Sequence, residues 1–405
     1  MKKIGIVLQQ FPVPSETFIV TKVLNLIQQG FEVTIFATTK SKHWNNYKML
    51  MNRKDVKNSI VTSVFRFRGS KFIFVFASFV AVLKSFMFYP MMTFRLLRNT
   101  IHYSKITGLS TSHQFLHQLM FVGKHIDILH IEFDFQAYGL VELKKFLKCS
   151  IVVSGRGSIA SSSIPSRFPN FFHHLFSHVD HYHFISQYLL NASILSGLPQ
   201  TTRISLIEPA IDLSLFCPTE RRQNKLIKIV TTGRLVWAKG YEFAIDAIAM
   251  VHHVYPDIQY EIIGSGPYKD AVLYAASQHN LINSGVVSLK GEIKREEVAN
   301  YLQDVDLMLH LALDEGFCNA VIEGQAMEIP VVCSDSGGLP ENIENGVTGI
   351  VVPRRDARAA ADAVIKLIEN PALRIKMGKM GRARAIAKYN IHDQGVKFTE
   401  MYQSI

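Results

Sequence analysis

The sequence predicts an α/β protein of two domains, each built on a parallel β-sheet. Three observations predict it. The chain has 405 residues, of which 48% are hydrophobic and 19% charged, enough for two sizeable cores and too apolar for a disordered chain. Short apolar runs alternate with helical patterns along its length, which is how parallel strands with helical crossovers read. Several of those runs end in glycine-bearing loops, and a parallel sheet places its ligand contacts at the carboxyl ends of its strands.

The elements follow in order. Lys2 and Lys3 precede a short apolar run, Ile4 to Leu8. That run is too short for a signal-peptide core and reads as the first buried strand. Further strands of the first half are expected near 32–37, 127–131, 150–153, 182–185 and 204–207, with a helix over 16–28. In the second half strands are expected near 227–231, 259–263, 286–289, 306–310, 331–334 and 350–352. Helices are expected over 242–254, 295–302 and 358–369. The linker falls near 208–225. The first domain is thus residues 1–207, the second 208–389, and about 390–405 crosses back to the first.

The segment Glu315–Glu323 carries the most chemistry. Two carboxylates stand eight positions apart across a loop and the start of an apolar helix beginning near Asn319. A helix start offers unpaired N–H groups and partial positive charge, which suits a phosphate. Glu323, one turn in, can accept hydrogen bonds from a sugar diol, and Glu315 can reach a second sugar. Ordinary capping explains such acids equally well when they stand alone. The neighbouring loops tip the balance. The strand ending at Val230 leads to Gly233, Arg234, Lys239 and Gly240. Arg234 offers a planar fork for phosphate oxygens and Lys239 a point charge. The strand ending at Ile263 leads to Gly264 and Gly266, whose small size lets a base or ribose approach. Ser334 leads to Gly337, Gly338 and Glu341. Four such loops in one half of a chain suit a nucleotide sugar.

This ordered set resembles glycosyltransferase family 4, the retaining enzymes of the GT-B fold. The match runs from Gly233-Arg234 and Lys239-Gly240, through Gly264-Ser265-Gly266 and Glu315…Glu323, to Gly337-Gly338…Glu341 and Asn345–Pro353. It covers roughly residues 200–390, and it is the order and spacing together that make it specific. Weaker similarity lies at Phe11–Ile19, which looks like the opening loop of members that build bacterial exopolysaccharide and O-antigen, and at Ile207–Pro218.

The resemblance implies two Rossmann-like domains facing a central cleft. It implies that Arg234 and Lys239 bind the donor diphosphate and that Glu315 contacts the transferred sugar, the three forming the catalytic set. Asn319, Ala320 and Val321 would cover phosphate and sugar, and Glu323 would hold the ribose. Gly233, Gly264, Gly266, Cys318 and Glu341 complete the donor side, Cys318 as a small packing residue at the loop. No metal and no cofactor are implied, the two cations replacing a metal; the donor is a UDP- or GDP-sugar.

The acceptor side departs from the family. Members often carry a histidine where Glu132 stands, and a His-Gly-x-Asp where this chain has Arg156 and Ile159. Ser15, Glu16, Thr17, Glu132 and Arg156 are the acceptor-side candidates.

Charge is uneven: residues 1–207 carry a balance of +15 and the remainder −4, within a total of +11. Between Val56 and Ile126 there is no acidic residue, yet nine Lys and Arg. Such a face attracts an anionic membrane. Nucleic acid would be attracted too, but no nucleic-acid motif is present. The same stretch is unusually apolar from Phe72 to Phe94, interrupted by Lys84 and Pro90. It reads as two helices, partly core and partly in the headgroup layer, rather than a span. His173, His174, His178, His181 and His183 cluster without Cys or Glu and read as structural. Four scattered cysteines suggest neither disulfide nor zinc site, and favour a reducing compartment.

The reading is a hexosyltransferase moving sugar from a nucleotide sugar to a saccharide or polyprenyl-diphosphate-linked acceptor in cell-surface polysaccharide synthesis. It would work in the cytoplasm, peripheral on the inner face of the cell membrane. A nucleotide-sugar epimerase of the same fold, or a catalytically dead binding protein, is the alternative.

Overall fold

The computed structural model describes residues 1–13, 16–42, 44, 47, 50, 53–63, 71–157, 159, 171–219 and 226–405. The chain divides into two compact units. One comprises 1–185, 190–207 and 395–405, the other 186–189 and 208–394.

The first unit is a seven-stranded sheet in the order β3-β2-β1-β4-β5-β6-β7, and every neighbouring pair is parallel. Its strands are β1 Lys3–Phe11, β2 Glu32–Lys40, β3 Ile60–Thr62, β4 Ile128–Ile131, β5 Ser150–Gly155, β6 His181–Phe184 and β7 Arg203–Leu206. Ile4, Ile6 and Leu8 on one face and Val7 on the other are buried, because β1 is covered on both faces, as a central parallel strand must be. β1 and β2 run further than expected, pairing Gln10 with Thr39 and Phe11 with Lys40. The backbone ladder tolerates polar side chains that end an apolar run. β3 was not expected; three residues at an edge are too few to show a period.

The helix Thr17–Gln28 buries Ile19, Val20, Val23 and Leu26, one face at helical spacing. Lys22 lies on that same buried face. The last helix, Ile391–Ser404, contributes Phe398, Met401 and Tyr402 to the core that holds Ile4, Ile6 and Val23.

The second unit is a six-stranded sheet, order β10-β9-β8-β11-β12-β13, again parallel throughout. The strands are β8 Ile227–Thr232, β9 Ile258–Ile263, β10 Val287–Gly291, β11 Leu307–His310, β12 Val331–Ser334 and β13 Gly349–Val352. All lie within a residue or two of their expected bounds. The order reverses between β8 and β11, and at such a switch point the loops diverge and leave a crevice.

Candidate active site

Four loops meet at that switch point. After β8 the chain passes Gly233 and Arg234 and turns once at Trp237–Lys239. Gly240 follows at φ +62, and a Cβ there would overlap the carbonyl oxygen of Leu311. Leu313 N–H donates to the Ala238 carbonyl at 2.8 Å, tying the β11 loop to the β8 loop. Gly264, after β9, lies against the Gly233 carbonyl so closely that any Cβ would collide with it. Gly338 N–H donates to the Glu315 carbonyl at 2.8 Å. The glycines of the motif therefore knit the loops to each other. Gly264 is first a backbone-packing residue, although the sequence places it and Gly266 beside the ligand.

The charged groups sit inside this frame. Lys239 Nζ donates to Glu315 Oε2, and both side chains are mostly buried. His310 Nε2 lies 3.6 Å from the same oxygen and 3.3 Å from Cys318 Sγ. Burial alone would raise the Glu315 carboxyl, but Lys239 and His310 outweigh it and hold the pKa near about 2. Burial alone would take the proton from His310; the Cys318 sulfur and Glu315 keep it, raising the pKa to about 9. Lys239 is likewise held charged against its burial by Glu315. Arg234 is exposed, and its guanidinium has no ion pair among the described residues. The site thus carries more positive than negative charge.

The helix Asn319–Ala326 begins beside this cluster. Its first N–H groups, from Asn319 to Val321, have no partners within the helix. Asn342 fixes the entry: its side chain accepts from Cys318 N–H at 3.2 Å and donates to the Cys318 carbonyl at 3.3 Å. Cys318 is buried and spends its backbone there, so it is a structural member of the site, as its small size suggests. Glu323 lies one turn into the helix and is partly exposed. Glu341 is corrected in its role: its carboxylate accepts from the N–H groups of Gln187 and Tyr188 at 2.8 and 2.7 Å. It holds backbone rather than offering a free carboxylate to a donor. His310 and Asn342 were missed. His310 closes an apolar strand, and a histidine ending such a run was the available signal; nothing local marks Asn342.

His310, Glu315 and Cys318 are also spaced as metal ligands, their donor atoms lying within 4.8 Å of one another. The near oxygen of Glu315 is held by the Lys239 ammonium, so a metal ion would compete with that lysine.

The acceptor-side candidates lie in the first unit. Ser15 is outside the described residues; Glu16 and Thr17 open the first helix. Glu132 is fully buried (0%) and cannot itself touch an acceptor. It accepts from Lys22 Nζ at 2.5 Å, and from Arg156 through its carboxylate at 3.0 Å and its carbonyl at 2.9 Å. Arg156 also lies over the Phe18 ring at 4.3 Å. Glu132 therefore positions Arg156, a correction to its expected role. A file of buried groups runs behind it. His130 Nε2 is 2.7 Å from Ser154 Oγ, Ser154 Oγ is 2.7 Å from His183 Nδ1, and His183 Nε2 is 3.0 Å from the Ile207 carbonyl. His130 Nδ1 meets Lys22 Nζ at 3.1 Å and also the Tyr402 hydroxyl. Lys22 has no sequence signal, since it looks like a solvated helix position. Of the histidine cluster, His183 belongs to this file and His174 pairs with Glu142 at 2.6 Å.

Burial lowers the His183 pKa from 6.5 to about 3. The unfolded chain therefore binds a proton that the folded chain refuses as pH falls below 6.5. Stability from this group is present above that pH and is lost towards pH 3, by roughly 3–5 kcal/mol at full extent. Chemical denaturation from pH 7 to pH 4 should show the decline, and His183→Asn should make it shallower, the remainder coming from the buried His130 and His181. An unchanged slope in the variant would remove His183 as its cause.

Comparison with known proteins places this geometry. Residues 218–384 match the family model Glycosyl transferases group 1. The second unit is therefore a group 1 glycosyltransferase domain. The amylovoran biosynthesis glycosyltransferase AmsK of Erwinia amylovora is 25% identical over 412 residues, covering 95% of each chain. A GDP-mannose-dependent monoacylated alpha-(1-6)-phosphatidylinositol monomannoside mannosyltransferase of Corynebacterium glutamicum is 28% identical over 244 residues, covering 56% of this chain and 62% of that one. The match thus spans less than two thirds of that relative's length. Among solved structures, sucrose-phosphate synthase from Thermosynechococcus elongatus superposes with a TM-score of 0.74 at 16% identity, covering 100% of this chain and 99% of that one. Anabaena Alr3699/HepE in complex with UDP-glucose gives 0.69 at 13% identity, covering 100% of both. The fold is GT-B, two Rossmann-like parallel-sheet domains.

Proposed function

We propose that this chain is a retaining, metal-independent glycosyltransferase. It moves a sugar from a nucleotide sugar to a saccharide or lipid-linked acceptor, and it serves cell-surface polysaccharide or glycolipid synthesis at an anionic membrane surface. The observation that carries the reading is the Lys239–Glu315 pair. It stands beside Arg234 and the first N–H groups of the helix Asn319–Ala326, at the switch point of a parallel sheet.

The residues divide the work. Lys239 and Arg234 meet the diphosphate and offset the charge that builds on it as the sugar leaves. Releasing Lys239 to the phosphate frees Glu315 for the sugar hydroxyls. Asn319–Val321 N–H groups face the phosphate, and Glu323 accepts from the ribose. The sugar–phosphate C–O bond breaks while the acceptor oxygen bonds to the same face of the carbon. The acceptor proton passes to the departing phosphate oxygen. Lysine and arginine supply the charge that a metal supplies elsewhere. The AmsK and HepE names support polysaccharide synthesis and a UDP-sugar respectively. For a cytoplasmic enzyme on the inner membrane face, a polyprenyl-diphosphate acceptor suits the basic first unit.

Thermal shift and donor hydrolysis with UDP-, GDP- and ADP-sugars, in chelator, test the reading. One donor is expected to raise the melting temperature and to turn over slowly, with a sharp increase when lipid-linked acceptor is added. Conversion of the donor to an epimer would support the epimerase instead. Binding with no turnover under any acceptor would mean a dead site. No shift with any donor would overturn the nucleotide-sugar reading.

A further inference from the structure

We propose that the helices Lys71–Phe88 and Pro90–Thr107 enter the hydrocarbon of an anionic bilayer from one side. This rests on the membrane reading above and deepens it, from a surface that attracts headgroups to a specific element that penetrates. The two helices meet at Tyr89 and Pro90.

Their polarity is inverted. Phe76, Phe79, Leu83 and Met87 follow at intervals of three or four residues along the first helix and are 62%, 63%, 54% and 64% exposed. Apart from Leu96, the buried positions of the pair carry hydroxyls: Ser78, Thr93, Thr100, Tyr103 and Ser104. Ser78 is buried, its Oγ without a hydrogen-bond partner among the described residues. Ser85 and Thr93 bond to each other across the junction at 2.6 Å. Thr100 is buried and bonds the Leu96 carbonyl at 2.8 Å and Gln118 at 3.0 Å. A helix on a water-soluble core shows the reverse arrangement. Small hydroxyl residues between helices with large apolar side chains outward is the arrangement that lipid favours.

The exposed area is also large. Phe76, Phe79, Phe88 and Phe94 are each more than 60% exposed, leaving roughly 100 Å² of ring surface apiece. With Met87 and Met91 the patch exceeds the few hundred Å² usual for a soluble surface. Its charge selects the occupant. No acidic residue lies between 57 and 126, and Lys84, Arg95, Arg98 and Lys105 are exposed beside the rings. A second copy of the chain would oppose like charge to like, whereas anionic lipid supplies the missing sign. Long basic side chains can keep their heads at phosphates while the rings go deeper. Among the described residues no helix is long and apolar enough to cross a membrane, so the pair enters and does not span.

Vesicle flotation tests this with the full chain. The protein should float with phosphatidylcholine–phosphatidylglycerol vesicles and at least tenfold less with phosphatidylcholine alone. Phe79→Trp should add fluorescence, beyond that of Trp44 and Trp237, that is quenched by lipids brominated on their acyl chains. Phe76→Glu with Phe79→Glu should reduce flotation at least tenfold while the nucleotide-sugar thermal shift persists, which separates this inference from the enzymatic one. Absence of flotation would overturn it. So would flotation with no acyl-chain quenching, which would mean headgroup contact only. Sedimentation showing a dimer that the double substitution dissociates would assign the patch to a second copy instead.

Discussion

Lys239→Ala is expected to lower sugar transfer by a thousandfold or more, on the order of 4 kcal/mol of transition-state stabilisation. In the proposed mechanism the lysine meets charge that grows as the diphosphate departs, so the loss should fall on kcat as well as on donor affinity. The substitution also leaves the mostly buried Glu315 carboxylate with His310 alone as its cation, at 3.6 Å, and removing one partner of a buried pair costs about 3 kcal/mol or more of stability. A double variant distinguishes the two effects. Lys239→Met with Glu315→Gln removes both charges and should regain most of the lost stability. It should regain none of the activity. Stopped-time transfer assays and thermal melting of the two variants give the answer, and wild-type turnover in either would refute the assigned roles.

Glu132→Ala is expected to lower the stability of the first unit by about 3–5 kcal/mol, because Lys22 and Arg156 then share a buried site with no anion. Burial raises and the two cations lower the Glu132 carboxyl, and the cations win, holding it far below its usual range. Burial has already brought the Lys22 pKa down to about 8 even with Glu132 in place. The melting temperature of the first transition should fall by roughly 10 °C. The nucleotide-sugar binding proposed for the second unit should be retained. Lys22→Met beside Glu132→Gln should restore part of the loss. An unchanged melting temperature in Glu132→Ala would mean that the buried ion pair contributes nothing to the fold.

The second unit was largely legible in its sequence. Its strands are short, mainly apolar runs, several of them followed by glycine-bearing loops, and the glycines are needed where loop backbones touch, as at Gly240 and Gly264. Those demands are local, so residue types at fixed spacing carry them. The Asn319 helix start and the nearness of Lys239 to Glu315 were readable for the same reason. Glu341 was misplaced because its partners, Gln187 and Tyr188, lie some 150 positions away. The first unit was less legible. Lys22 is one polar residue on an amphipathic helix, and only the presence of Glu132 beneath it makes a buried lysine tolerable. In the 72–94 stretch the apolar content was plain, but which side chains face outward was not, since inverted polarity has the same composition as an ordinary core helix.

By itself the sequence determined the α/β class, the parallel sheets, the order of the ligand loops and the unequal charge of the two halves. Each follows from periodicity, composition or backbone sterics within a few residues. Only the tertiary structure decided that Glu132 serves Arg156, that His310 and Cys318 flank Glu315, that Glu341 holds backbone, and that Phe76 and Phe79 face outward. Those outcomes depend on which groups share a low-dielectric space, where an unpaired charge or polar atom is costly, and on which faces of a helix find a protein neighbour. Distance along the chain does not encode either.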